Sequence, residues 1–237
     1  MATNTQLEQL WPHDAALLED LAARSPTVLI AFSRGKDSIA AYLAMRDSGL
    51  FERIIPYHMF LIPDLSFEQK SLRYFEKFFK TKIYEVPHPS LYRMLRNQVF
   101  QPPDRVATID AANLPAIDYL DVIESLCEDL GLGDDVIIAD GVRCCDSPMR
   151  RLSLQKYGPI RKRKCSVVWN WNKRRVMDTI EAAGCALPVD YEMFNRSFDG
   201  IDYRFLEPLR TRFPADYAKI KELFPLCDLE FFRHAKN

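Results

Sequence analysis

The chain has 237 residues, enough to bury a full core as one domain with a small appendage. Hydrophobic residues make up 48% and charged residues 27%, which fits a soluble globular protein, and the formal net charge of −1 points to no partner by bulk charge. No apolar run approaches the ~18 residues of a membrane span. The amino-terminal MATNTQLEQLWPHD has no basic segment followed by an apolar one, so no secretory signal is expected. Six cysteines without Cys-x-x-Cys spacing read as reduced thiols of a cytoplasmic protein.

In chain order, a helix is expected over roughly 7–23, then a strand over TVLIAF (27–32), whose continuous apolar run suits burial on both faces. Residues 37–47 read as a helix stopped by Gly49. RIIPYHMFLI (53–62) reads as a second strand, with Pro56 marking a bulge or a late start. FEQKSLRYFEKFFK (67–80) is an amphipathic helix turning Phe67, Leu72, Phe75, Phe78 and Phe79 inward. KIYEV (82–86) is a third strand, HPSLYRMLRNQ a short helix, and 101–115 a proline-containing irregular stretch. A helix over 116–132, ended by Gly131 or Gly133, precedes DVIIADG (135–141), a fourth buried strand. Helical turns near 147–156, a strand at 166–169 and a helix over 172–183 follow. The aromatic, proline-rich tail from Leu187 holds helical regions at 215–224 and 229–235. Strands alternating with helices imply an α/β fold, a parallel sheet covered on both faces in three layers.

Charge is unevenly placed. Residues 147–177 contain no acidic residue, while Arg150, Arg151, Lys156, the run Arg161, Lys162, Arg163 and Lys164, and then Lys173, Arg174 and Arg175 surround Val167, Val168, Trp169 and Trp171. Cations mixed with aromatics suit a polyanion with stackable bases; the plain alternative is a solvated basic face. Residues 106–142 carry nine carboxylates and no Lys or Arg.

In a parallel sheet, ligands bind outside the carboxyl ends of the strands. SRGKDS (33–38) lies there, between the first strand and its helix. Amides at that helix start carry the positive end of the dipole. Gly35 permits close backbone approach, Ser33 and Ser38 can donate hydroxyls, and Lys36 adds a full charge, which together make a phosphate cradle. It is not a Walker A loop, because Ile30 stands where the first glycine belongs and Asp37 follows the lysine. A tight turn with a Ser/Asp helix cap would explain Asp37 or Ser38, but not the whole set. The histidines His13, His58, His88 and His234 form no cluster in the sequence, and His58, inside a strand, is expected to be structural.

SRGKDS after a buried strand resembles the PP-loop signature Ser-Gly-Gly-x-Asp-Ser of ATP pyrophosphatases, which cleave ATP between the α and β phosphates and often adenylylate a substrate. GVRCCDSPMR (141–150) resembles the Gly-x-Arg-x-x-(Glu/Asp)-Ser-x-x-Arg motif of the phosphoadenosine-phosphosulfate (PAPS) reductase-like branch. Trp171, Val176 and Ile180 resemble that branch's Trp-x4-Val-x3-Ile helix. The resemblance implies an adenine nucleotide alpha hydrolase-like fold, with a nucleotide-binding domain over 1–186 and a helical extension packed on it over 187–237. It implies ATP or a related adenine nucleotide as ligand and Mg²⁺ as metal. Nucleotide contacts are then expected from Ser33, Arg34, Gly35, Lys36, Asp37, Ser38, Gly141, Arg143 and Arg150. Lys36, Asp37 and Arg143 would serve the chemistry, and Asp37 would hold the metal or cap the helix.

The chain also departs from that pattern. Arg34 replaces the first loop glycine, adding a cation for phosphate. LIPDLSFEQ keeps only Glu68 of the family's Asp-Thr-Gly and Glu-Thr elements, with Asp64 nearby. Reductases carry a catalytic cysteine in a Glu-Cys-Gly tail; Cys227, in FPLCDLEFF, lacks that context and is expected to be a core thiol. Cys144-Cys145 is the only cysteine pair, so a four-thiolate cluster is not expected.

The expected reaction is nucleotidyl transfer, in which cations and oriented amides stabilise charge on the departing pyrophosphate. Lys36, the loop amides, Arg143 and Arg150 fit that task, although a salt bridge to Asp140 or Asp146 would also explain Arg143. The expected function is therefore ATP cleavage that adenylylates an acceptor, a small molecule or nucleic acid, in nucleotide, nucleic-acid or sulfur modification. The alternatives are a PAPS or APS reductase and a non-catalytic nucleotide-binding module. A homodimer would let the acidic 110–140 run of a second subunit meet the basic run.

Overall fold

The structure, a computed structural model, describes residues 12–235. The first part of the helix expected over 7–23 lies outside them; the described part is α1 (Pro12–Arg24). There follow β1 (Thr27–Ala31), α2 (Lys36–Ser48), β2 (Arg53–Phe60), α3 (Ser66–Phe79), β3 (Tyr84–Pro87), α4 (Pro89–Arg96), α5 (Pro103–Ala112) and α6 (Tyr119–Leu130). Next come β4 (Ile137–Asp140), α7 (Pro148–Tyr157), β5 (Ile160–Arg161), β6 (Lys164–Ser166) and α8 (Lys173–Ala182). The chain ends with α9 (Asp190–Phe194), α10 (Tyr203–Arg212), α11 (Pro214–Leu223) and α12 (Leu229–Ala235). No helix among the described residues is long and apolar enough to cross a membrane.

The strands form one six-stranded sheet in the order β3-β2-β1-β4-β6-β5. β1 pairs in parallel with both β2 and β4, and β4 with β6, while β5 runs antiparallel to its neighbour β6. The fold is thus the α/β class, with a mostly parallel sheet. Val28, Leu29 and Ile30 are all fully buried, and since successive strand residues face opposite ways, both faces of β1 are covered.

Pro56 makes neither a bulge nor a late start. It stands mid-strand opposite Ile30, and the Tyr57 carbonyl next to it accepts from Phe32 N–H. Alternate strand residues point their polar groups to opposite sides, so the missing donor of Pro56 lies on the flank away from β1.

The chain divides into two compact units. The first comprises the described residues up to His58, Phe75–Tyr84 and Gly131–Leu187; the second comprises Met59–Tyr74, Glu85–Leu130 and the residues from Pro188. The sequence reading draws a single boundary after residue 186, whereas this partition joins two earlier segments to the tail.

In the first unit α2 packs on α8, where Val176 and Ile180 meet a helix that buries the small side chains Ala40, Ala41 and Ala44. Gly49, in left-handed backbone at φ 64°, closes α2 as expected. Phe75 and Phe79 are buried and set edge-on to Phe32, while Phe78, expected inward, is half-buried under the guanidinium of Arg46. The strand expected at 166–169 ends at Ser166: Val167 N–H still donates to the Asp140 carbonyl as a parallel ladder requires, but the chain then turns, and Trp169 N–H donates to the Ser166 carbonyl.

The second unit has its own aromatic core, in which Phe67, Phe194, Phe198 and Phe205 meet at ring distances of 5.0–6.4 Å. The buried carboxylate of Asp216, on α11, accepts from the N–H groups of Ser66 and Phe67 and from the Ser66 hydroxyl, capping the start of α3. Residues 101–115, expected to be irregular, contain α5. Pro103 occupies its first helical position and Asn113, at φ 43°, ends it; none of its residues is buried, so no apolar period betrays it. In the tail, Pro208 inside α10 disguises a helix that buries Phe205, Leu206 and Leu209.

Candidate functional site

From β1 the sheet grows toward β2 and β3 on one side and toward β4, β6 and β5 on the other. β1 and β4 therefore flank the reversal of strand order, where a doubly wound sheet opens a crevice at its carboxyl edge. β1 runs out into residues 33–35 and then α2; β4 runs out into residues 141–147 and then α7. The two sequence motifs thus occupy the two loops of one crevice, both within the first unit.

The first loop is tightly wound. Arg34 adopts left-handed backbone at φ 61° and its side chain is fully buried, so the extra cation anticipated there faces protein rather than solvent. Gly35 precedes α2, with its N–H donating to Ser33 Oγ at 3.3 Å. Ser38 Oγ donates to the Gly35 carbonyl at 2.8 Å and lies 3.3 Å from Ser33 Oγ. No side chain caps the α2 amino terminus. The first-turn amides of a helix lack intrahelical partners, so this end suits an anion. Asp37 stands in the first turn but is not a cap.

The second loop is pressed against the first. A Cβ placed on Gly141 would lie 2.6 Å from the Asp37 carbonyl carbon and 2.8 Å from Ser38 N, closer than any side chain allows. Two residues on, Arg143 is buried, with 5% exposure. The charged side chains form a chain of ion pairs. Lys36 Nζ lies 2.6 Å from Asp37 Oδ2, and Arg143 Nε lies 2.9 Å from Asp37 Oδ1, close but not aligned as a directed hydrogen bond. Arg143 Nη2 reaches Asp146 Oδ1 at 3.0 Å, its backbone N–H donates to Asp146 Oδ2 at 2.8 Å, and Arg150 Nη1 reaches the same oxygen at 3.1 Å. Arg143 Nη1 is buried without a hydrogen-bond partner.

Lys36, Asp37, Arg143 and Arg150 are thereby joined in one chain of ion pairs, and of the two salt-bridge partners expected for Arg143 it is Asp146 that the structure pairs with it. The other suggested partner of Arg143, Asp140, instead accepts from Val142 N–H at 3.0 Å, and burial pushes its carboxyl above the usual range. Ser147 caps α7 by accepting from the Arg150 N–H, which holds Arg150 in the first turn of that helix. Cys145 is exposed and Cys144 half-buried; no group of three or more His, Cys, Asp or Glu side chains gathers as a metal site among the described residues.

The basic segment is less open than its sequence suggests. Trp171 is 4% exposed and its indole N–H donates to Asp14 at 3.2 Å, so it offers no stacking face. Arg175 lies 4.0 Å over the same ring and pairs with Asp14, and Arg174 approaches Asp178 at 3.7 Å. The exposed aromatic in this segment is Tyr157, with Lys156 and Arg161 at 5.0 and 4.4 Å from its ring.

Cys227 is fully buried in the second unit, and burial, with the nearby Asp228 charge, pushes its thiol up to about 11. The thiolate is the nucleophilic form, so this sulfur is poorly suited to reductase chemistry. Cys227→Ser is expected to leave nucleotide turnover unchanged while costing about 1–3 kcal/mol for a buried hydroxyl. Loss of turnover in a folded Cys227→Ser protein, followed by AMP or sulfite release, would restore the reductase reading.

Fold and crevice define an α/β protein with two cationic loops at the reversal point of a parallel sheet. No protein-family model matches the chain, and no curated protein does. Among solved structures it is similar to the NH3-dependent NAD synthetase from Campylobacter jejuni subsp. jejuni NCTC 11168 in complex with the nitrate ion, at 13% identity and a TM-score of 0.47, covering 96% of this chain and 95% of that one.

Proposed function

We propose that this chain is a PP-loop enzyme of the PAPS reductase-like kind, which binds ATP between residues 33–38 and 141–146 and cleaves it between the α and β phosphates to adenylylate an acceptor. The observation that carries this reading is Arg143, whose Nη1 is buried without a hydrogen-bond partner beside a loop pressed onto the α2 amino terminus. A buried donor left unsatisfied costs about 1–3 kcal/mol, and a phosphate oxygen would satisfy it.

In the proposed complex Lys36 turns from Asp37 to the phosphates, and the uncapped α2 amides meet the same anion. Arg143 then stabilises charge developing on the departing pyrophosphate, held in place by Asp146. Mg²⁺ would neutralise phosphate charge, and it commonly takes one or two carboxylates while keeping its waters. Asp37, freed from Lys36, is the carboxylate at hand for it. The acceptor is a small molecule or a nucleic acid, and for the latter Tyr157 with Lys156 and Arg161 offers a cationic stacking face.

The test is incubation with ATP and Mg²⁺, with AMP and pyrophosphate as expected products. Lys36→Ala is expected to weaken ATP binding by about 1.5–3 kcal/mol, the worth of a charge-assisted contact, without unfolding a chain in which Lys36 is half-exposed. Unchanged affinity in a titration would remove the loop from the site.

A further inference from the structure

A second cleft, of about 380 Å³, opens in the first unit at the other end of α2. Arg46, in the last turn of α2, lines it, ten residues beyond Lys36. At 1.5 Å per residue that is roughly 15 Å along the helix. Its remaining walls come from the amino end of β2, where Arg53 is the first residue, and from the turn between α3 and β3. β1 and β2 are parallel; the cleft thus sits at the amino edge of the sheet and the first crevice at its carboxyl edge.

The lining is cationic and aromatic. Arg46, Arg53, Lys80 and Lys82 face one lining carboxylate, Glu52. Some of this charge has a structural use. Arg46 pairs with Asp47 at 2.6 Å, and Arg46 and Lys80 stand at the carbonyl ends of α2 and α3, where cations are favoured. Arg53 and Lys82 are at neither helix end, and both are exposed. Lys82 Nζ lies 4.6 Å over the half-buried ring of Tyr84, and Phe51 is half-buried on the loop before β2. Tyr42 and Phe79, both buried, stack at 3.8 Å and complete the aromatic part of the lining.

We infer that this cleft is a second ligand site, for a planar ring carrying a phosphate, of the size of one nucleoside monophosphate. The volume is at the small end of the ~300–1,000 Å³ of small-molecule sites, which suits one such unit. The half-buried ring of Phe51 supplies stacking surface, and Arg53 and Lys82, the latter held over the Tyr84 ring, supply charge for the anion. Neither half suffices alone: a bare phosphate lacks the ring contact and a bare nucleoside lacks the charge.

The experiment is titration of the full chain with AMP, adenosine and inorganic phosphate. AMP is expected to bind in a class that survives Lys36→Ala, and adenosine and phosphate to bind about tenfold or more weakly there. The double change Arg53→Glu with Lys82→Glu is expected to weaken that class by about tenfold or more, and both side chains are exposed, so the fold is kept. Phe51→Ala is expected to weaken AMP and leave phosphate unaffected. A single AMP class that vanishes in Lys36→Ala would overturn the inference, as would unchanged AMP binding in the charge-reversed protein. Failure of ATP to bind at Lys36 would not touch it, because its class is read in the Lys36→Ala background.

Discussion

Arg143→Ala is expected to lower ATP cleavage by about 10²–10³-fold, the usual loss when one preorganised donor to a developing negative charge is removed. The side chain is 7% exposed and spans Asp37 and Asp146, so it is held in place before any ligand arrives. Truncation would leave Asp146 facing only Arg150, and Asp37 facing only Lys36 among the pairs described above. A stability loss of about 1–3 kcal/mol should accompany the kinetic one, softened because both carboxylates keep some solvent contact. Arg143→Lys separates charge from geometry: an ammonium is a point charge and cannot bridge two carboxylates while aiming a third nitrogen at phosphate. It should therefore recover stability better than rate. A folded Arg143→Ala protein that makes AMP and pyrophosphate at the unaltered rate would end the proposed role.

Where the sequence was legible, local chemistry and tertiary demand agreed. TVLIA has to be a strand covered on both faces, and Gly49 ends α2 because only a left-handed residue closes it there. The two candidate loops were legible because each combines a buried strand, a glycine and a cation in a short span. Their mutual contact was not: nothing in the residues around Gly141 announces that the Asp37–Ser38 peptide will fill its side-chain space. The burial of Arg34 and Trp171 was hidden for the same reason. The indole of Trp171, for one, is satisfied by Asp14, far away in the chain. Helix α5 escaped because it buries no residue, and α10 because Pro208 sits inside it. The apolar period is blind to the first, and a proline argues against the second. Asp146 was legible as a partner of Arg143, yet the choice of it over Asp140 and its second link to Arg150 needed coordinates.

Gly141→Ala should have the second large effect, and it acts through backbone rather than charge. The added methyl would sit 2.6 Å from the Asp37 carbonyl carbon, 2.7 Å from its oxygen and 2.8 Å from Ser38 N. Those atoms belong to the first turn of α2 and cannot rotate away as a side-chain tip would. Relief requires either that turn or the loop after β4 to move, yet β1 and β4 are locked together by the pairing of Ile30 with Ala139. Overpacking of this kind costs about 1–3 kcal/mol, and a chain of this length loses roughly 2–4 °C of Tm per kcal/mol. The same movement would separate Arg143 from Asp37 and the α2 amides, so ATP affinity should fall even in the protein that remains folded. Gly133→Ala is the control. Its Cβ would meet only the Asp135 carboxylate, with Oδ1 at 2.7 Å and Cγ at 3.8 Å, the tip of a flexible side chain that can swing aside. Melting curves and ATP titrations of the two variants should therefore diverge, with Gly133→Ala near the unaltered chain and Gly141→Ala well below it in both. If Gly141→Ala melts and binds as the unaltered chain does, the two loops are not in the contact that the proposed ATP site requires.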